Sequence, residues 1–163
     1  MADYEGAVTG LIPCSVVLLT AADGDRRDAM TATTVFVAEE PPVLTMSVAK
    51  HILMHDLIET SREFVVNLAS SEQASLAKKL GATHGRDVDK FAEFSLVSRP
   101  AAVVRAPILE GSFASLECQV IDSFSVDSYS VYHARVVAHE FDASREALVW
   151  EQGRYYPVRE PLG

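Results

Sequence analysis

Met30-Thr31-Ala32-Thr33-Thr34-Val35-Phe36-Val37, followed after Glu39-Glu40-Pro41-Pro42 by Val43-Leu44-Thr45-Met46-Ser47-Val48-Ala49-Lys50, is the stretch that decides how the rest of the chain is read. A hydroxyl cluster leads into an apolar run. Proline donates no N–H to a ladder, so the double proline marks a break before the strand Val43 to Val48. Short side-chain donors at a strand end, with a cation, Lys50, one strand away, form a cradle for a small phosphorylated ligand.

Upstream, Ser15-Val16-Val17-Leu18-Leu19-Thr20-Ala21 is a continuous β-branched run too short for a typical helix. With Asp23-Gly24-Asp25 after it, it reads as a buried strand entering a hairpin whose returning strand leads into the hydroxyl cluster. Downstream, Leu53, Leu57 and Ile58 recur at helical spacing as far as Thr60-Ser61, and Phe64 to Leu68 follows as another strand. Ser70-x-x-Gln73 is a capping box that opens a predicted helix from Ser71 to Leu80, with Gly81 as its stop. Gly85 to Phe91 reads as a polar loop running into a short helix. Strict alternation in Ala114-Ser115-Leu116-Glu117-Cys118-Gln119-Val120 predicts a strand with one face on the core, and Tyr132, Ala134, Val136 and Ala138 repeat the pattern less cleanly. The segment Ala147 to Tyr156 adds one more apolar run and an aromatic turn. Several strands with a few short helices and no sustained βαβ alternation predict a small antiparallel barrel with covering helices, in a single domain spanning 1–163.

Composition narrows the function. The chain has 163 residues, 14 Lys plus Arg and 23 Asp plus Glu, for a net charge of −9. That charge repels a polyanion at long range, so nucleic acid is not expected as a partner. Cys14 and Cys118 lie far apart with no Cys-x-x-Cys spacing, so neither a zinc site nor a disulfide framework is suggested, and a reduced cytoplasm fits. No apolar stretch approaches the roughly 18 residues of a membrane helix, and Met1-Ala2-Asp3-Tyr4-Glu5 lacks the basic region of a signal peptide. His51 and His55, at i and i+4, would share one helical face and could bind a metal. Without an acidic or cysteine third ligand at a familiar spacing, exposed histidines at a helix start are the preferred reading. Gly-x-Ser-x-Gly, Walker A and Gly-x-Gly-x-x-Gly motifs are absent. Cys118, on the apolar side of its strand, reads as core and not as a nucleophile.

Three segments, Ala29-Met30-Thr31-Ala32-Thr33-Thr34, Pro41-Pro42-x4-Ser47-Val48 and Leu57-Ile58-x2-Ser61-x2-Phe64-Val65-Val66-Asn67, together resemble the flavin reductase-like family of FMN-binding split barrels. Gly85-Arg86-Asp87-Val88-Asp89-Lys90-Phe91, Ala106-Pro107, Leu116-Glu117-Cys118 and Gly153-Arg154-Tyr155 resemble its flavoredoxin branch. The likeness runs from about Ser15 to Tyr155. It implies a Greek-key split barrel, a homodimer that binds FMN near the subunit interface, and hydride transfer from NADH or NADPH to flavin. A separate monooxygenase or another electron acceptor is then a possible consumer of the reduced flavin. By position, Met30, Thr31, Ala32, Thr33 and Thr34 would line the flavin and its phosphate tail. Ser47, Val48, Ala49 and Lys50 would form the adjoining strand-end loop, with Arg86 and Lys90 as further phosphate candidates. Flavin N5 itself takes and gives hydride, so no side-chain nucleophile or general base is obligatory.

Two departures stand out. His51-Ile52-Leu53-Met54 supplies fewer phosphate donors than many relatives carry there. Tyr129, in Val126-Asp127-Ser128-Tyr129-Ser130, stands where many reductases have a histidine. It is either a nicotinamide-side residue or a strand tyrosine filling the barrel wall. Two other functions stay open: an FMN-binding electron-transfer flavoprotein with another reductant, and a flavin-free split-barrel ligand-binding or interaction module.

Overall fold

The computed structural model describes residues 8–158, so the segment Met1 to Glu5, read above for a targeting signal, lies outside the described residues. The first half contains strands β1 (Cys14–Ser15), β2 (Val17–Asp23), β3 (Arg26–Ala32), β4 (Val35–Glu39), β5 (Pro42–Ala49) and β6 (Glu63–Leu68), with helix α1 (Leu53–Ser61) between the last two. Helices α2 (Ala74–Ala82) and α3 (Lys90–Glu93) follow, then β7 (Ser98–Arg99), β8 (Ile108–Leu109), β9 (Ala114–Val126), β10 (Tyr129–Phe141), β11 (Leu148–Glu151) and β12 (Arg154–Pro157). Seven strands form one antiparallel sheet in the order β3-β2-β6-β9-β10-β5-β4. Its two edge strands, β3 and β4, are consecutive in the chain and joined only by Thr33-Thr34. A link that short forces the sheet to curl until its edges nearly meet, leaving a seam. A second sheet, β1-β11-β12, stands beside it.

Helix α1 fills the inside of the curl. Met54, Leu57 and Ile58 pack with Val17, Leu19, Leu44, Met46, Phe64, Val66, Cys118 and Tyr132. On the other side of β2, Leu18 meets Ala77 and Leu80 of α2 and Phe91 of α3. Strand β2 is thus covered on both faces, which is why its sequence is apolar without alternation. Leu18 and Leu19 are each fully buried, contributing about 1.5–3 kcal/mol apiece. Among the described residues no helix is long and apolar enough to cross a membrane.

Three expectations are corrected. The helix after the capping box starts as a 3-10 turn, Ser71–Gln73, and continues as α2 through Gly81 to Ala82, so Gly81 is not its stop. A Cβ at Gly81 would make only ordinary contact with Thr31, and the chain leaves the helix at extended Thr83. The reading of two exposed histidines at a helix start holds for His51, which is exposed just before α1, and is corrected at His55, which is half-buried with Nε2 2.9 Å from Ser130 Oγ. In β9 two of the polar positions, Ser115 and Glu117, do not face water, while Gln119 does. Ser115 Oγ donates to Asn67 Oδ1 (3.1 Å), and the Glu117 carboxylate accepts from the N–H groups of Ala102, Val103 and Val104 at 2.8, 2.6 and 3.1 Å. A covering segment through Val104, Ala106 and Ile108 packs on Val65 and shields that face.

Candidate functional site

The seam carries a cleft of about 310 Å³. Strand β3 lines it with Met30, Thr31 and Ala32, the β3–β4 link with Thr33, and β5 with Ser47. The second sheet contributes Trp150 and Tyr155, and Val16 completes the lining. Among the described residues β3 pairs only with β2, so one side of its backbone has no ladder partner; Asp28 and Lys90 take the Ala29 groups, and those nearer the cleft can meet a ligand. Five of the expected residues therefore come together in one place.

The others divide. Thr31 Oγ1 donates to Ala77 O at 2.5 Å and Thr34 Oγ1 to Thr45 O at 2.8 Å, so these hydroxyls fasten β3 to α2 and the β3–β4 link to β5. Thr33 and Ser47, both exposed, are the hydroxyls open to the cleft. Ser47, Val48 and Ala49 belong to β5 itself and not to a loop. Strand alternation points Ser47 and Ala49 outward and Val48 into the core, so the Val48 side chain faces away from the cleft.

The three cations have different surroundings. Exposed Lys50 donates from Nζ to Asp127 O (2.9 Å) and from its backbone N to Ser128 O (2.9 Å), tying the β9–β10 turn to the end of β5. Exposed Arg86 pairs with Asp56 Oδ2 at 2.8 Å and donates from Nε to His51 O, also at 2.8 Å. Lys90 is 3% exposed, donating to Ala29 O (2.7 Å) and pairing with Asp28 Oδ1 (3.2 Å). Burial pushes the Asp28 carboxyl up, and the charge of Lys90 acts against that shift. A Cβ at Gly85 would overlap the Asp28 carboxylate, so glycine lets the polar loop close over the pair. Lys90 is thus an internal counter-ion and not an exposed phosphate donor.

Tyr129 opens β10 opposite Ala49 and Val126, on the face of β5 that carries Ser47. At 47% exposed, it does not fill the barrel wall. Cys118 is core: burial pushes its thiol up to about 12. Sequence reasoning missed Val16, Trp150 and Tyr155. The available signal was the only tryptophan of the chain, placed in an apolar run directly before an aromatic turn. The cleft offers hydroxyl, backbone and aromatic groups, a lining suited to gripping a flat polar ring system.

Residues 9–159 match the model of the flavin reductase like domain. The chain is 30% identical over 149 residues to the reductase component of 4-nitrophenol 4-monooxygenase/4-nitrocatechol 2-monooxygenase from Rhodococcus opacus, covering 91% of this chain and 76% of that protein. It is 25% identical over 155 residues to the FMN reductase (NADH) RutF of Stutzerimonas stutzeri, covering 94% of this chain and 86% of the relative. Among solved structures, the NADH:FAD oxidoreductase SgcE6 of Streptomyces globisporus shares the fold with a TM-score of 0.85 at 23% identity, covering 94% of this chain and 90% of that one. The chain therefore belongs to the family of the flavin reductase like domain.

Proposed function

We propose that this protein is a flavin reductase that takes hydride from NADH or NADPH onto FMN bound at the seam cleft. The observation that carries the reading is the cleft itself, where Met30, Thr31, Ala32, Thr33 and Ser47 meet two aromatic rings. The donor set fits the cofactor. Edge backbone groups of β3 and the hydroxyls of Thr33 and Ser47 suit the polar rim of the ring, and the apolar lining suits its faces. A bound flavin supplies the hydride-accepting ring; the chain's own residues bind and orient it and keep water from its covered side. Tyr129, on the same outer face as Ser47, borders the approach of the nicotinamide. Of Lys50, Arg86 and Lys90, Lys50 is the exposed one with no carboxylate partner among the described residues, and it is assigned to the phosphate. Since Arg86 and Lys90 are engaged by Asp56 and Asp28, the tail is held by few charges. A loosely held flavin suits a reductase whose product leaves for a separate monooxygenase, the arrangement that the name of the Rhodococcus relative describes for that protein. A second copy of the chain covers the exposed apolar edge beside the cleft. Two unpaired thiols, Cys14 and Cys118, suit a reducing compartment such as the cytoplasm.

The test is spectroscopic. With FMN bound, anaerobic addition of NADH or NADPH is expected to bleach the oxidised flavin band near ~450 nm. A chain that binds FMN but is bleached only by another reductant would be an electron carrier instead. One that binds no flavin would be a binding module.

A further inference from the structure

We infer that Trp150 and Tyr155 form the stacking wall of the cleft and select for a flat, multi-ring ligand through its ring system and not through its tail. This deepens the flavin reading and rests on it. The two residues are register partners across the β11–β12 hairpin, so their side chains stand side by side on one face of the ladder. Both line the cleft, which takes its hydroxyl lining from β5 and the β3–β4 link and its aromatic lining from the separate β1-β11-β12 sheet. Both residues are half-buried, pack against the core cluster that includes Val16, Leu18 and Leu148, and line the cleft. The wall is braced. β11 is the middle strand of its sheet, and Val16 N to Leu148 O (3.0 Å), Leu148 N to Ala69 O (2.9 Å) and Gln152 N to Gly10 O (2.9 Å) bind it to the rest of the chain. Rings held in place before the ligand arrives lose little freedom on stacking. Burial also pushes the Tyr155 phenol up, so it stays neutral. At about 310 Å³ the cleft lies near the small end of ligand sites, with room for one ring system and its tail outside.

Trp150 is the only tryptophan of the chain, so its emission reports on the wall directly and without turnover. Titrating the full chain with FMN, without NADH, should quench that emission in proportion to bound flavin. Trp150→Leu and Tyr155→Leu keep apolar bulk and remove a ring. Each should weaken FMN and riboflavin by the same factor, roughly tenfold, while Tyr155→Phe stays within about twofold of wild type. Flavin that binds, by ultrafiltration, with Trp150 emission unchanged overturns the wall and leaves the flavin reading intact. So do folded leucine variants that bind riboflavin with the wild-type constant. A wild-type chain that binds no flavin overturns both. The wild-type quenching experiment needs no variant, so a substitution that fails to fold does not shield the inference.

Discussion

Lys50 and Lys90 carry the same charge in the same family pattern, and their surroundings separate them. Lys50 is exposed at the end of β5 and gives one donor to Asp127 O, leaving ammonium hydrogens for a ligand. A charge-assisted bond to phosphate is worth about 1.5–3 kcal/mol, so Lys50→Ala should weaken FMN about tenfold and leave riboflavin, which lacks the phosphate, unchanged. Equal losses for both ligands in fluorescence titrations would remove Lys50 from the phosphate. Lys90 is buried against Asp28, and Lys90→Met would strand that carboxylate without its counter-charge, at a cost of about 3–5 kcal/mol. Pairing it with Asp28→Asn should recover most of the loss in thermal unfolding, and in both variants the ratio of FMN to riboflavin affinity should hold. A folded Lys90→Met chain with wild-type stability but a lower ratio would restore Lys90 as a phosphate ligand. No local pattern distinguishes the two lysines, because the partner that buries Lys90 sits on β3, far away in the chain.

At the scale of elements, the reading succeeds where burial follows from the element's own pattern and fails where another segment supplies the cover. Helix α1 and strand β2 are legible because helical spacing and an unbroken apolar run each have one structural solution here. In β9 the alternation identifies the strand but misplaces Ser115 and Glu117, which are polar yet buried under the segment through Val104. Burial alone would raise the Glu117 carboxyl; the amides of Ala102, Val103 and Val104, with Arg99, outweigh it and hold the group below the ordinary glutamate value of 4.5. A folded-state value below the unfolded one means a contribution that is complete above about 4.5 and is lost as the pH falls through the folded value. Wild type should therefore lose stability on acidification more steeply than Glu117→Gln, which keeps an acceptor and lacks the charge. In urea unfolding the gap between the two should be widest near neutrality and should shrink as the pH falls to about 3. A gap independent of pH would show that Glu117 acts by shape alone. The aromatic wall escaped for a similar reason: Trp150 and Tyr155 reach the cleft only because β11 docks beside the barrel, a long-range fact that composition does not carry.

For the whole molecule, the sequence yields the antiparallel barrel and its covering helices, while the extent of the exposed apolar edge becomes visible only in three dimensions. Strand β4 is exposed along its full length, with Val35, Phe36 and Val37 at 60%, 56% and 53%. On the same flank, exposed Phe124, Val126 and Tyr129 extend the apolar surface across β9 and β10. An apolar edge strand of this kind invites pairing with any other chain unless a specific partner covers it. A two-fold pairing of identical copies covers the same patch on both at once, so a dimer of twice the 17.7 kDa chain mass is expected in sedimentation equilibrium. Val35→Lys together with Val37→Lys places charge on the edge and should give a monomer. Val35 follows the Thr33-Thr34 link directly and pairs with Thr45, two residues from Ser47, so a partner seated there also shelters the mouth of the cleft. The lysine variant should for that reason lose FMN affinity together with its partner, although no substituted residue lines the cleft. A wild-type monomer that keeps its FMN would overturn this coupling, and a lysine variant that remains a dimer would move the interface away from β4.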